Sequence, residues 1–126
     1  MNTLLAVAAG GAIGASARYL FSAQALRWLG PDFPWGTLGV NIIGSLIMGL
    51  LIEVLALKVS ASAELRSFLT TGILGGFTTF SAFSLDVANL IERKDGLLAA
   101  FYAVGSVGGA VLALFIGLWI ARWVLA

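Results

Sequence analysis

The chain has 126 residues, of which 60% are hydrophobic and 10% are charged, and its mean hydropathy is +1.04. A soluble domain of this size carries roughly 25% charged residues, so the composition points to lipid as the solvent. Cysteine and histidine are both absent, which excludes zinc, haem and iron–sulfur sites of the usual kind and imidazole proton relays; the net charge of +1 with no basic run offers nothing to nucleic acid.

A membrane span needs roughly 20 mostly apolar residues. The first is expected over 3–28, with Arg18 inside it. Its start, Met1-Asn2-Thr3-Leu4, has no basic flank, and the apolar run outlasts a signal-peptide core, so a signal peptide is not expected. Gly30-Pro31-Asp32-Phe33-Pro34 reads as a turn, because both prolines and the glycine resist helix. The second span is expected over 35–57, followed by a short polar link from Lys58 to Glu64 that suits a helix start. The third is expected over 65–91, Glu92-Arg93-Lys94-Asp95-Gly96 is a charged turn, and the fourth is expected over 97–123. Residues 1–126 thus read as one all-α, four-span transmembrane domain.

An even number of spans puts both termini on one side. Lys58, Arg66 and Arg122 then share that side, and Arg27, Arg93 and Lys94 the other. With three against three, the positive-inside rule favours neither orientation. Charge alone leaves two explanations, a chance tie or insertion in both directions with antiparallel pairing. Gly10 and Gly14, Gly72 and Gly76, and Gly105 and Gly109 form G-x-x-x-G pairs, which let helix backbones approach closely in lipid.

Several polar residues lie inside the spans. A central arginine costs ~2.5–3.5 kcal/mol on insertion scales, so Arg18 faces protein, water or an anion, or snorkels to an interface. Asn41, among aliphatics, can bond between helices or donate to an anion. Tyr102 and Ser106, four apart, share one helix face. Glu53 sits near a span end and is expected to reach the interface. Asp86 is more internal, with serine or threonine hydroxyls or Arg18 as candidate partners.

The stretch Gly72-Ile73-Leu74-Gly75-Gly76-Phe77-Thr78-Thr79-Phe80-Ser81-Ala82-Phe83-Ser84-Leu85-Asp86 is the least helical in composition. Gly75 and Gly76 free the backbone, and Thr78, Thr79, Ser81 and Ser84 can bond to it locally. Phe77, Phe80 and Phe83 recur at every third position. A break in the third span is expected near 75–81. Irregular backbone at membrane depth persists only when buried in protein or lining a polar cavity; exposed carbonyls there suit cations, and phenyl edges suit anions. The other reading is a continuous helix with a phenylalanine packing stripe.

Gly75 to Ser84, Gly-Gly-Phe-Thr-Thr-Phe-Ser-Ala-Phe-Ser, resembles the GGxTTFSTFS signature of the Fluc (CrcB) fluoride channels. Gly10-Gly11-Ala12-Ile13-Gly14-Ala15-Ser16-Ala17-Arg18-Tyr19 resembles that family's GGxxGxxxRW pattern, and Trp35-Gly36-Thr37-Leu38-Gly39-Val40-Asn41 its GTLxVN pattern. The resemblance covers the whole chain. It departs at Ala82 and Tyr19, where the family often has threonine and tryptophan, and at Ala110, where some members carry serine.

The resemblance implies a bacterial inner-membrane channel that exports fluoride passively, built as a dual-topology, antiparallel homodimer with two pores. It implies a structural, untransported sodium ion held by the carbonyls of Gly75 and Thr78 of both subunits. Asn41, Thr79, Phe80, Phe83, Tyr102 and Ser106 would line the fluoride path, and Arg18 would lie near a vestibule. The charge tie and the break would then have causes. A small dual-topology multidrug exporter is the main alternative, but it needs a deeply buried carboxylate to trade protons for cations, and the first span has none. An assembly protein without transport is the third reading. An enzyme is not expected, because no nucleophile–base pair is present.

Overall fold

Long aliphatic runs free of proline fold as helices in lipid because a helix satisfies its own backbone. The computed structural model describes residues 2–125 and is helical throughout apart from short connections. The first two helices, α1 (Asn2–Leu29) and α2 (Trp35–Leu57), are followed by the stretch Ala63–Glu92 and by α6 (Gly96–Leu125); all four are long and apolar enough to cross a membrane. Ala63–Glu92 is subdivided into α3 (Ala63–Ser67), a π-helical segment (Phe68–Leu74), the single turn α4 (Gly75–Phe77) and α5 (Phe80–Glu92).

The connections follow local chemistry. Gly30 ends α1 with φ +82°, a left-handed conformation that glycine adopts without strain. Ser62 caps α3, its hydroxyl accepting from Leu65 N at 3.1 Å. After α5, Lys94 has φ +62°, and Ala99 N donates to Asp95 O at 2.8 Å as α6 begins. Arg93 Nη2 donates to Asp32 O at 2.9 Å, so the α1–α2 and α5–α6 turns lie at one end. At the opposite end Arg122 Nη2 meets Glu53 Oε1 at 2.8 Å.

Two seams bring backbone against backbone. In the first, α1 packs on the π-helical segment and α4. A Cβ on Gly14 would strike the Ile73 carbonyl, and one on Gly76 would lie 2.7 Å from Gly11 O. The first two G-x-x-x-G pairs therefore face each other. In the second, α2 packs on α6: a Cβ on Gly49 would strike Leu114 O, and one on Gly117 would strike Leu46 O. No spacing motif announces this pair, since each helix contributes a single glycine. Gly105 of the third pair faces open space, with no atom within 4 Å of a Cβ built there. The apolar cluster of Phe83, Leu90, Ala99 and Tyr102 joins α5 to α6, with Phe33 and Leu38 against it.

Candidate functional site

Between α4 and α5 the chain leaves helical geometry for two residues. Thr78 has φ −89°, ψ 158° and Thr79 has φ −154°, ψ 126°, both extended. Extended backbone at membrane depth needs partners for its polar groups, since each unsatisfied one costs several kcal/mol. Side chains supply them. Asn41 Nδ2 donates to Thr79 O at 3.0 Å, and Thr79 N donates to Asn41 Oδ1 at 2.8 Å. Thr78 N and Thr78 Oγ1 both donate to Leu74 O at 3.0 Å. Thr79 Oγ1 caps α5 by accepting from Ala82 N at 3.1 Å, and Ser84 Oγ donates to Phe80 O at 3.0 Å. Gly44, one turn beyond Asn41, leaves room for the Thr78 methyl, which a Cβ there would strike.

Arg18 faces the other side of the same corner. Its Nε donates to Gly76 O at 3.0 Å, in the last turn before the extended pair. A hydrogen bond from a charged donor is worth roughly 1.5–3 kcal/mol, and a cation is further favoured at a helix C-terminus. Together these offset most of the insertion cost of ~2.5–3.5 kcal/mol. Among the described residues Arg18 forms no ion pair.

Two neighbouring carbonyls are left over. Among the described residues, no donor outside the regular helical ladder reaches Gly75 O or Thr78 O. Gly75 is exposed, with only Thr70 O, at 3.5 Å, near a Cβ built on it.

On the α2–α5–α6 side lies an open cavity of about 100 Å³, lined by Asn41, Phe80, Phe83, Ser106, Val107 and Ala110. Asn41, Phe80, Phe83 and Ser106 are expected path residues and Ala110 is a departure already noted from sequence; Val107 was not singled out, being one more aliphatic in an aliphatic helix. Ser106 is 4% exposed, and its Oγ has no hydrogen-bond partner. The Phe80 and Phe83 rings stand 5.4 Å apart, tilted by 43°. They differ in setting: Phe83 is 8% exposed and Phe80 is 74% exposed. Tyr102 lies behind this wall, its ring 5.2 Å from that of Phe83. Its hydroxyl donates to Asp86 Oδ2 at 3.0 Å, so Asp86 is held by neither Arg18 nor a serine or threonine. Asp86 also borders a larger pocket of about 300 Å³ beneath the two turns, with Thr37, Asn89 and Arg93. Arg18 lies on neither cavity wall.

Four membrane-length helices, with polar side chains organised around a two-residue extended corner, define a small multi-pass membrane protein. The family model of CrcB-like proteins (Camphor Resistance) matches residues 5–118, and the chain belongs to that family. It is similar to the fluoride-specific ion channel FluC of Chelativorans sp., at 58% identity over 99% of this chain and 100% of the relative. Proteins of the same name from Hyphomonas neptunium and Mesorhizobium japonicum are 58% and 57% identical, over 100% and 97% of this chain and 100% and 98% of their own length.

Proposed function

We propose that this chain is a fluoride-selective channel that lets fluoride leave the cytoplasm passively across the bacterial inner membrane, limiting fluoride toxicity. The observation that carries this reading is the cavity whose wall combines the amide of Asn41, the unpartnered Ser106 hydroxyl and the rings of Phe80 and Phe83. Fluoride is small and strongly hydrated, so a pore must replace its water with donors. Ser106 has a free O–H. Asn41 spends one Nδ2 hydrogen on Thr79 O and has a second. The phenyl edges carry partial positive charge. No fixed charge lines this cavity, so an ion is held weakly enough to leave. Thr79 and Tyr102 support the path from behind, and Arg18 lies on neither cavity wall.

The working unit is an antiparallel homodimer with two pores, in which residues 1–126 form a single four-span domain whose third span is broken at Thr78 and Thr79. The three-against-three charge tie supports insertion both ways, and the exposure of Phe80 supports a second subunit against it. The unclaimed carbonyls of Gly75 and Thr78 fit a hard monovalent cation, since carbonyl oxygen suits sodium without a carboxylate. When bound there by two subunits, sodium supplies structural stabilisation and is not transported; no catalysis is involved.

The test is fluoride efflux from liposomes holding only this protein. Passive fluoride flux with chloride rejected is expected. Equal fluoride and chloride currents would sink the reading.

A further inference from the structure

We propose that Arg18 is a positioning residue, which uses its Nε–H to fix the Gly76 carbonyl and so aims the neighbouring free carbonyls of Gly75 and Thr78, rather than a charge that gathers anions. The inference deepens the channel reading above and borrows its flux assay.

The geometry begins on α1. Gly11, Ala15 and Arg18 recur at helical spacing and share one face. Gly11 and Ala15 let Gly76 approach until a Cβ there would lie 2.7 Å from Gly11 O and 3.0 Å from Ala15 N. That proximity places Gly76 O within 3.0 Å of Nε, the inner nitrogen of the guanidinium. Among the described residues the outer nitrogens have no protein partner, so the Nε bond is the side chain's one attachment. Here the stem nitrogen is fastened to backbone 58 residues away, one residue from Gly75 and two from Thr78. Thr78 N and Oγ1 fasten Leu74 O on the near side, and Asn41 fastens Thr79 on the far side. Arg18 supplies the remaining tie between them. Without it, α4 can rotate about the Gly75–Gly76 pair, whose lack of side chains leaves the backbone free.

Two substitutions separate the roles. In Arg18→Gln the amide nitrogen falls at the same bond position as Nε, so the donor is kept and the charge is lost. In Arg18→Lys the charge is kept, but a methylene takes the place of the donor. Arg18→Met removes both. Gly76–Phe77 is the one Gly-Phe step in the sequence, so carbonyl-labelled glycine with amide-labelled phenylalanine isolates the Gly76 carbonyl resonance in a solid-state NMR spectrum of the protein in bilayers. The expected result is an unchanged resonance and near-parental fluoride flux for Arg18→Gln. Arg18→Met and Arg18→Lys should shift the resonance and lower flux on the order of tenfold or more, as loss of a charge-assisted hydrogen bond implies. Parental flux in Arg18→Lys with loss in Arg18→Gln would overturn the proposal, as would a Gly76 resonance unmoved by Arg18→Met. If the parent itself carries no fluoride, the channel reading fails, and the resonance still decides whether Arg18 holds Gly76.

Discussion

Asn41 and Thr79 are joined twice, amide nitrogen to carbonyl and amide oxygen to backbone N–H, at 3.0 and 2.8 Å. The side chain thereby copies one rung of a β-ladder inside a helical protein. It gives an extended residue the two partners that a second strand would otherwise supply. Asn41→Leu, of similar size, should strand both Thr79 groups. Each is worth about 1–3 kcal/mol when left unsatisfied, so a clear drop in thermal stability in detergent and loss of flux are expected. Unchanged melting of the purified variant would show that the corner holds without the clamp.

The two rings on the cavity wall should answer differently to the same change. Phe83 is buried against Tyr102, so Phe83→Ile should cost stability of about 1–3 kcal/mol as well as conduction. Phe80 is 74% exposed, so Phe80→Ile should leave the fold of the chain intact while conduction falls, because the electropositive edge is gone. Liposome flux with melting curves of both variants checks this. Parental conduction in both would make the rings packing elements only.

Two classes of glycine stand at opposite extremes. Gly14→Ala and Gly49→Ala each drive a methyl into a facing carbonyl, and overpacking of this kind costs about 1–3 kcal/mol or more. Gly105→Ala and Gly108→Ala meet open space and should leave folding of the chain unchanged. Yield and monodispersity of the four variants separate the classes. A Gly14→Ala protein as stable as the parent would mean that the α1 seam yields easily.

Orientation should be adjustable by charge. Lys58, Arg66 and Arg122 balance Arg27, Arg93 and Lys94, so two or three added lysines at one end should fix the direction of insertion. A chain fixed in one direction should lose fluoride flux alone and regain it beside an oppositely fixed partner. Full flux from one fixed orientation would remove the antiparallel dimer.

Sodium should matter to assembly before it matters to transport. Exchange of sodium for a bulky organic cation during purification should weaken the dimer, since a ligand bound only by the assembled form stabilises it by mass action. Cross-linking yield and flux at matched ionic strength measure this. Dimer recovery indifferent to prolonged sodium removal would count against the carbonyl site.

The four membrane-length helices were legible in the hydropathy because lipid permits little else, and the proline-rich and charged turns marked their ends. The polar residues around Thr78 and Thr79 were legible as a group, since glycine and hydroxyl side chains stand out among aliphatics. Their partners were not. Asp86 binds Tyr102, and Arg18 binds Gly76, because such pairings depend on how helices are rotated against one another. Spacing along one chain does not encode that rotation. The α2–α6 seam was hidden for the same reason: Gly49 and Gly117 make a contact only when two helices are already side by side.

The two seams also set an order of events during synthesis. Gly14 on α1 waits for Ile73, and Gly49 on α2 waits for Leu114 and Gly117. Both early helices therefore enter the bilayer with their closest backbone partner still unmade, and the second seam cannot shut until the last helix arrives. Insertion and packing are separated in time, and a chain truncated before α6 would sit in the membrane with a second glycine contact that has nothing to meet.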